Sequence, residues 1–138
     1  MKDDELAREV EYMELQVRAL QDYANELTEK GNLPFSSTDG PTLLKRGSEL
    51  VRQLETTRKD VSGLAERHEW EHGDTPEGAE IKQVGYGVAG EVGSLSAIVD
   101  LATGEPRDYS MAGVGKDFIK ASETLKRLAA QLGKVQIK

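Results

Sequence analysis

Apolar residues recur along this chain at alternating spacings of three and four, in four long stretches separated by polar and turn-forming residues. This alternation places side chains along one face of an α-helix, as in coiled coils and helical bundles. The first stretch covers residues 3–30, and Gly31 follows it as a natural end of the helix. Its apolar seam consists of Leu6, Val10, Met13, Val17, Leu20, Ala24 and Leu27.

The second and the last stretches follow the same rule. Residues 42–72 carry a seam of Leu43, Gly47, Leu50, Leu54, Thr57, Val61, Leu64 and His68. Residues 110–134 carry a seam of Met111, Val114, Phe118, Ala121, Leu125, Leu128 and Leu132. Between the first two helices lies a connection rich in turn formers, residues 32–41, in which we expect Phe35 to close one end of the core.

The third stretch, residues 76–102, has an unusual composition. Its start is well marked, because Gly73 ends the preceding helix, Thr75 can cap the next one and Pro76 suits the first helical position. Small residues recur four apart along it, at Gly85, Ala89, Gly93 and Ala97. An interior glycine costs a helix about 0.5–1 kcal/mol relative to alanine. We therefore expect this ridge to lie against another helix or a ligand.

Together these patterns predict an all-α fold, an antiparallel four-helix bundle formed by a single domain of residues 1–138. The connections are short enough to make consecutive helices neighbours. No stretch alternates with a period of two, so we expect no sheet.

Charge and composition narrow the classes of function. The net charge of −7 argues against binding to nucleic acid, which needs a basic surface. Residues 1–30 carry nine acids and four bases, whereas residues 107–138 carry seven bases and three acids, so we expect these two helices side by side. No apolar run approaches 18 residues and the first ten residues lack a signal-like apolar segment, so we expect no membrane contact. With no cysteine, a cytoplasmic setting is expected.

The segment around both histidines suggests a zinc site. His68-Glu69-Trp70-Glu71-His72 matches H-E-x-x-H, in which two imidazoles on one helical face hold zinc and the glutamate activates water. A zinc-dependent hydrolase also needs a strand that holds the substrate, and none is expected here. His68 lies on the apolar seam, which favours a hydrogen-bonded histidine at the edge of the core.

A second interpretation comes from a resemblance. Arg67 and Trp70, then Thr75-Pro76, then Gly87 to Leu95 (GVAGEVGSL) resemble the corresponding part of the MazG-like, all-α nucleoside triphosphate pyrophosphohydrolases. The resemblance covers about residues 64–132. It implies a magnesium-dependent cleavage of nucleoside triphosphates, with carboxylates on two successive helices holding the metal.

The chain departs from that family's ligand pattern. Glu91 matches the first carboxylate of the third helix and Asp117 matches the aspartate of the last one, but Ser94 and Val114 occupy the other two positions. Magnesium is held by hard oxygen ligands, and two carboxylates alone would bind it weakly. The resemblance therefore implies either a divergent Mg²⁺ enzyme or a domain that has lost the chemistry.

We therefore favour a non-catalytic helical interaction or assembly module that needs no cofactor. We expect it to act through the small residues Gly85, Ala89, Gly93 and Ala97 or through the long apolar seam of the first helix, with a protein partner or a second copy in a homo-oligomer. Trp70 is expected to anchor the end of its helix in the core or, if exposed, to be a binding contact. The alternative is the MazG-like pyrophosphohydrolase with Glu91 and Asp117 on magnesium, and a third hypothesis is a zinc hydrolase using His68 and His72.

Overall fold

The computed structural model describes residues 3–135, which form four α-helices. They are α1 (Asp3–Glu29), α2 (Gly40–His72), α3 (Pro76–Gly104) and α4 (Met111–Gly133). Within this range the only β-type pairing is an isolated bridge between Pro34 and Ser110. The prediction of an all-α four-helix bundle is confirmed, with every helix boundary within two residues of the expected one. Residues 1, 2 and 136–138 of the predicted domain lie outside the described range.

The helices are arranged in a square in which sequence neighbours are also spatial neighbours. The most extensive packing joins α1 to α4 and α2 to α3, and smaller contacts join α3 to α4 and α1 to α2. Neighbouring helices are antiparallel: Gly115 near the start of α4 packs on Ala24 near the end of α1, whereas Gly133 lies near Val10. The largest fully buried side chains include Met13, Leu20, Leu27, Leu54, Ile81, Leu95, Met111, Phe118, Leu125 and Leu132.

The turn between α2 and α3 shows why three residues suffice to reverse the chain. Gly73 has a φ of 71°, in the left-handed region that glycine tolerates, and its N–H donates to the Glu69 carbonyl at 2.7 Å. Thr75 then caps α3, because its hydroxyl oxygen accepts from the Gly78 N–H at 3.0 Å. Both predicted boundary residues therefore act as expected.

At the opposite end of the bundle the two longer connections pair with each other. The Phe35 N–H donates to the Tyr109 carbonyl at 3.2 Å, and the Met111 N–H donates to the Leu33 carbonyl at 2.9 Å. Phe35 is 1% exposed and closes this end of the core, as predicted. Gly40 begins α2 so close to this loop that an added Cβ would lie 1.7 Å from the Phe35 carbonyl oxygen.

The acidic α1 and the basic α4 lie side by side, as their opposite charges indicate. No ion pair among the described side chains of residues 4–135 joins the two directly. The ion pairs of α1 lead to α2 instead, from Glu26 to Arg46 and from Glu5 to Arg67. The apolar seam of α1 is mostly buried in its own bundle, which removes this seam as a surface for a second copy.

One buried polar group crosses the core between α1 and α2. Gln16 and Thr57 are 5% and 0% exposed, and the Thr57 hydroxyl donates to the Gln16 side-chain oxygen at 2.8 Å. The Gln16 amide donates in turn to the Gln53 carbonyl at 3.0 Å. Because a buried polar atom without a partner is costly, these bonds fix how α1 and α2 lie against each other.

Candidate functional site

The two histidines of the H-E-x-x-H sequence meet, but the glutamate points elsewhere. The rings of His68 and His72 have their centroids 4.8 Å apart and are tilted by 44°. His68 is 3% exposed, and its Nε2 lies 2.7 Å from the Thr75 hydroxyl oxygen. Glu69 instead lies 3.3 Å from the ammonium of Lys82 on α3. The general base that a zinc hydrolase needs is therefore committed to an ion pair away from the imidazoles.

The structure favours the hydrogen-bonded interpretation of His68 that its seam position suggested. Its Nε2 shares the Thr75 oxygen that caps α3, and its ring lies where a Cβ on Gly78 would be 3.0 Å from Cδ2. The Nδ1 atom is buried without a hydrogen-bond partner among the described residues. His68 thus ties the end of α2 to the start of α3.

The two carboxylates of the predicted magnesium pair lie at different levels of the bundle. Glu91 faces Thr124 and Arg127 of α4, and Thr124 accepts a hydrogen bond from Arg127 at 3.2 Å. Burial raises the pKa of Glu91, while the Thr124 hydrogen bond and the Arg127 charge oppose that rise. Asp117 is seven residues before Thr124, which corresponds to about 10 Å along α4.

No metal-binding group of side chains assembles in the described part of the chain. In residues 3–135, no three His, Asp or Glu side chains come together in a way that could hold an ion. The four candidate ligands therefore divide into a histidine pair at one end of the bundle and two separated carboxylates between α3 and α4.

The four small residues predicted to form a contact ridge do not share one surface. Gly85 is buried against Ser62 of α2, with its missing Cβ 3.5 Å from the Ser62 hydroxyl oxygen. Ala89 is half-buried, whereas Gly93 and Ala97 are exposed, and no atom lies within 4 Å of a Cβ added at Gly93. A spacing of four residues advances about 40° beyond a full helical turn, so the ridge winds from α2 towards solvent. Within this chain only the first half of the ridge packs against a neighbouring helix, and contact of the second half with a partner stays a prediction.

The position of Trp70 corrects the expectation that it anchors the end of α2 in the core. Its side chain is 89% exposed. The core positions of this turn belong to Leu64 and His68, and Glu69 faces α3. Because consecutive helical residues are about 100° apart, Trp70 falls on the outer side of α2. It stays a candidate binding contact.

The exposed face of α3 is the least polar surface of any helix here. We define the outer face of α3 as the exposed residues that follow one another three or four apart on its solvent side: Gln83, Tyr86, Gly90, Gly93, Ala97 and Leu101. Tyr86 is 64% exposed and Leu101 is 49% exposed. Between Lys82 and Asp100 the sequence has one charged residue, Glu91, and that one turns towards α4.

Sequence patterns did not identify the half-buried carboxylate of Glu9 between α1 and α2. Glu9 lies in a groove with Asp60, and its Oε1 is buried without a hydrogen-bond partner among residues 3–135. Burial, with a smaller contribution from the Asp60 charge, raises the pKa of Glu9 to about 7. Glu9 is a polar residue beside the apolar seam of α1, and the hydrophobic pattern of the sequence does not distinguish it from an exposed residue. Its burial is apparent only once α2 packs against it.

Among the described helices, none combines the length and apolar composition required to cross a bilayer. Comparison with protein-family models, with curated proteins and with solved structures gives no match to this chain. The basis for a function is therefore the arrangement of its own side chains, above all the outer face of α3.

Proposed function

We propose that this protein is a non-catalytic helical interaction module that binds another protein chain through the outer face of α3. The observation that carries the proposal is the composition of that face. From Gln83 to Val99 the helix exposes one amide, one aromatic ring and otherwise small side chains, and its one charged residue, Glu91, is half-buried beside α4.

The other helices show what an ordinary solvent-facing side looks like in this bundle. On α4, for example, the exposed positions include Lys116, Lys120, Glu123, Lys126 and Arg127. A helix that is apolar or small on all sides is ordinarily buried on all sides. By that rule α3 has a neighbour on its outer side when the protein performs its function.

The glycines of the outer face support the same proposal on energetic grounds. Nothing lies within 4 Å of a Cβ added at Gly90 or Gly93, so the bundle itself does not require glycine at either position. Each nevertheless destabilises the helix by about 0.5–1 kcal/mol relative to alanine. Close approach of another backbone is the usual physical reason for glycine on a helix surface.

The catalytic hypotheses have weaker support. Against a zinc site, the motif's glutamate is not directed at His68 and His72. Against a magnesium site, Glu91 and Asp117 lie about two helical turns apart. An interaction module needs neither a metal nor a cofactor. We place its function in the cytoplasm as part of the same proposal, consistent with the absence of cysteine.

The test compares two alanine-to-lysine substitutions on exposed helix faces. Ala97→Lys adds a long charged side chain to the outer face of α3, and Ala7→Lys adds the same side chain to the exposed side of α1. We expect Ala97→Lys to weaken association with a protein partner or with a second copy by roughly tenfold or more, since a buried unpaired charge costs more than the 1.4 kcal/mol that tenfold represents.

Association is measured by sedimentation of the purified protein over a range of concentrations, and by retention of proteins from an extract of cells that make it. Circular dichroism and thermal unfolding of both variants establish that the fold is intact. The proposal fails if the unmodified protein associates with nothing, or if Ala7→Lys reduces association as much as Ala97→Lys.

A further inference from the structure

The four central residues of the outer face of α3 are spaced symmetrically about its centre. Gly90 and Gly93 occupy the middle of the face, Tyr86 lies four residues before Gly90 and Ala97 lies four residues after Gly93. A two-fold axis through that centre would place each residue of one copy opposite its counterpart in an antiparallel second copy. This pairing sets the large Tyr86 side chain against the small Ala97 side chain and glycine against glycine, so the four central residues match in size.

We propose that the occupant of the outer face of α3 is the outer face of α3 in a second copy of this chain, packed antiparallel. This inference rests on the proposed function and names its partner. In this arrangement Gly90 of one copy meets Gly93 of the other at the crossing point, where the absence of side chains lets the two backbones approach closely. The exposed Tyr86 ring then covers the small Ala97 side chain of the other copy.

The charges that border the face favour the antiparallel orientation. Lys82 lies eight residues before Gly90, and Asp100 lies seven residues after Gly93, both on the side of α3 that faces α2. The two-fold axis brings Lys82 of each copy to within one residue of the level of Asp100 in the other. Lys82 is half exposed beside Glu69, and Asp100 has no ion pair in the described part of the chain.

A parallel pair of the same helices would lose the charge pairs and would be opposed by size. Its two-fold axis would run along the helices, so the Lys82 and Asp100 side chains of the two copies would lie at opposite edges of the interface. It would also set Tyr86 against Tyr86, and two rings at one level would hold the glycines apart. The order of residues on the face thus selects one orientation.

The size of the face indicates a weak and reversible dimer. The outer face runs from Gln83 to Leu101, so it is about 28 Å long and about 10–12 Å wide and covers roughly 300 Å² per copy. Two copies would bury about 600 Å² through this face, less than stable interfaces bury. We therefore expect a weak dimer, with dissociation in the micromolar range or above.

The chain contains no cysteine, so single cysteines report the geometry without interference. The experiment uses Tyr86→Cys and Ala97→Cys, alone and mixed in equal amounts, under mild oxidation. Disulfides form only where Cα atoms approach within about 7 Å. We expect the mixture to yield at least tenfold more linked dimer than either variant alone, because equal positions lie about 16 Å apart along an antiparallel pair. Leu15→Cys, exposed on α1, mixed with Ala97→Cys, measures random collision.

Each other outcome overturns the inference. Linked dimers of each single variant, with no mixed dimer of Tyr86→Cys and Ala97→Cys, would indicate a parallel pair. Linkage equal to that of the Leu15→Cys control, together with sedimentation as a monomer at high micromolar concentration, would exclude this dimer. If the monomer nevertheless retains a protein partner that Ala97→Lys releases, the interaction module stands and only its self-association fails. If Ala97→Lys releases nothing, both proposals fail.

Discussion

Replacing Gly90 and Gly93 by alanine should stabilise the isolated chain and weaken its association. In the bundle both glycines lie in the interior of α3 on its solvent side, with no atom within 4 Å of the added methyl groups. The substitutions therefore change little except the conformational freedom of the unfolded backbone and the solvation of the helix. Alanine is favoured over glycine by about 0.5–1 kcal/mol at such positions.

The sum for the two sites is about 1–2 kcal/mol of added stability. For a chain of 138 residues this corresponds to a rise of roughly 3–8 °C in the midpoint of thermal unfolding. Gly40→Ala provides the contrast, because its methyl group would lie 1.7 Å from the Phe35 carbonyl oxygen. That position has no free space, so we expect a clear loss of stability there.

The assay is urea unfolding followed by circular dichroism, at a concentration low enough to keep the chain monomeric, with sedimentation of the same samples at high concentration. We expect a higher unfolding midpoint and a larger dissociation constant for the double alanine variant. A lower unfolding midpoint in the monomer would refute the argument, because it would mean that Gly90 and Gly93 are crowded within the bundle itself. Unchanged association would remove the crossing point from the proposed dimer.

Two further predictions concern α1 and α2. The pKa of Glu9 is about 7 when folded and about 4.5 otherwise, so the folded chain binds more protons and stability should fall as pH rises from about 4.5 to 7. Because Glu9 is half exposed, solvent screening limits this loss of stability to about 1 kcal/mol. Glu9→Gln should remove the pH dependence that Glu9 contributes. If the free energy of unfolding of the two proteins changed in parallel with pH, the prediction would be contradicted. Thr57→Val should cost about 1–3 kcal/mol, since it leaves the Gln16 oxygen buried without its donor. A double-mutant cycle with Gln16→Leu measures the coupling, and strictly additive effects would show that the bond contributes nothing.

Features that depend on local chain chemistry were predictable from the sequence. Gly73, Thr75 and Pro76 define the turn between α2 and α3 through backbone conformation and capping alone, and the structure places all three as expected. The start of α2 was predicted at residue 42 but lies at Gly40, because Pro41 fits inside the first turn, where no N–H is needed.

Features that depend on what lies across from a residue were not predictable. Gly85 and Gly93 belong to the same series of small residues spaced four apart, yet Gly85 packs on α2 and Gly93 faces solvent. Trp70 comes two residues after the last seam residue of α2, His68, which suggested that it packs in the core. It lies instead on the outer side of α2 near the end of the bundle. Gln16 and Glu9 look like ordinary polar positions of α1, and their burial arises only when α2 lies against them.

The third helix combines two patterns of residues, an apolar stripe that faces the core and the small residues of its outer face. Its apolar residues, such as Ile81, Val88 and Val99, complete the core with the other three helices and are fully buried. The bundle is therefore closed without any contribution from the outer face of α3. Folding alone would accept lysine or glutamate at Gly90 and Gly93, as it accepts charged residues on the outer side of α4, and would gain stability from them. Small side chains that destabilise an isolated helix, arranged symmetrically between Tyr86 and Ala97, are instead what close packing against an identical antiparallel helix requires.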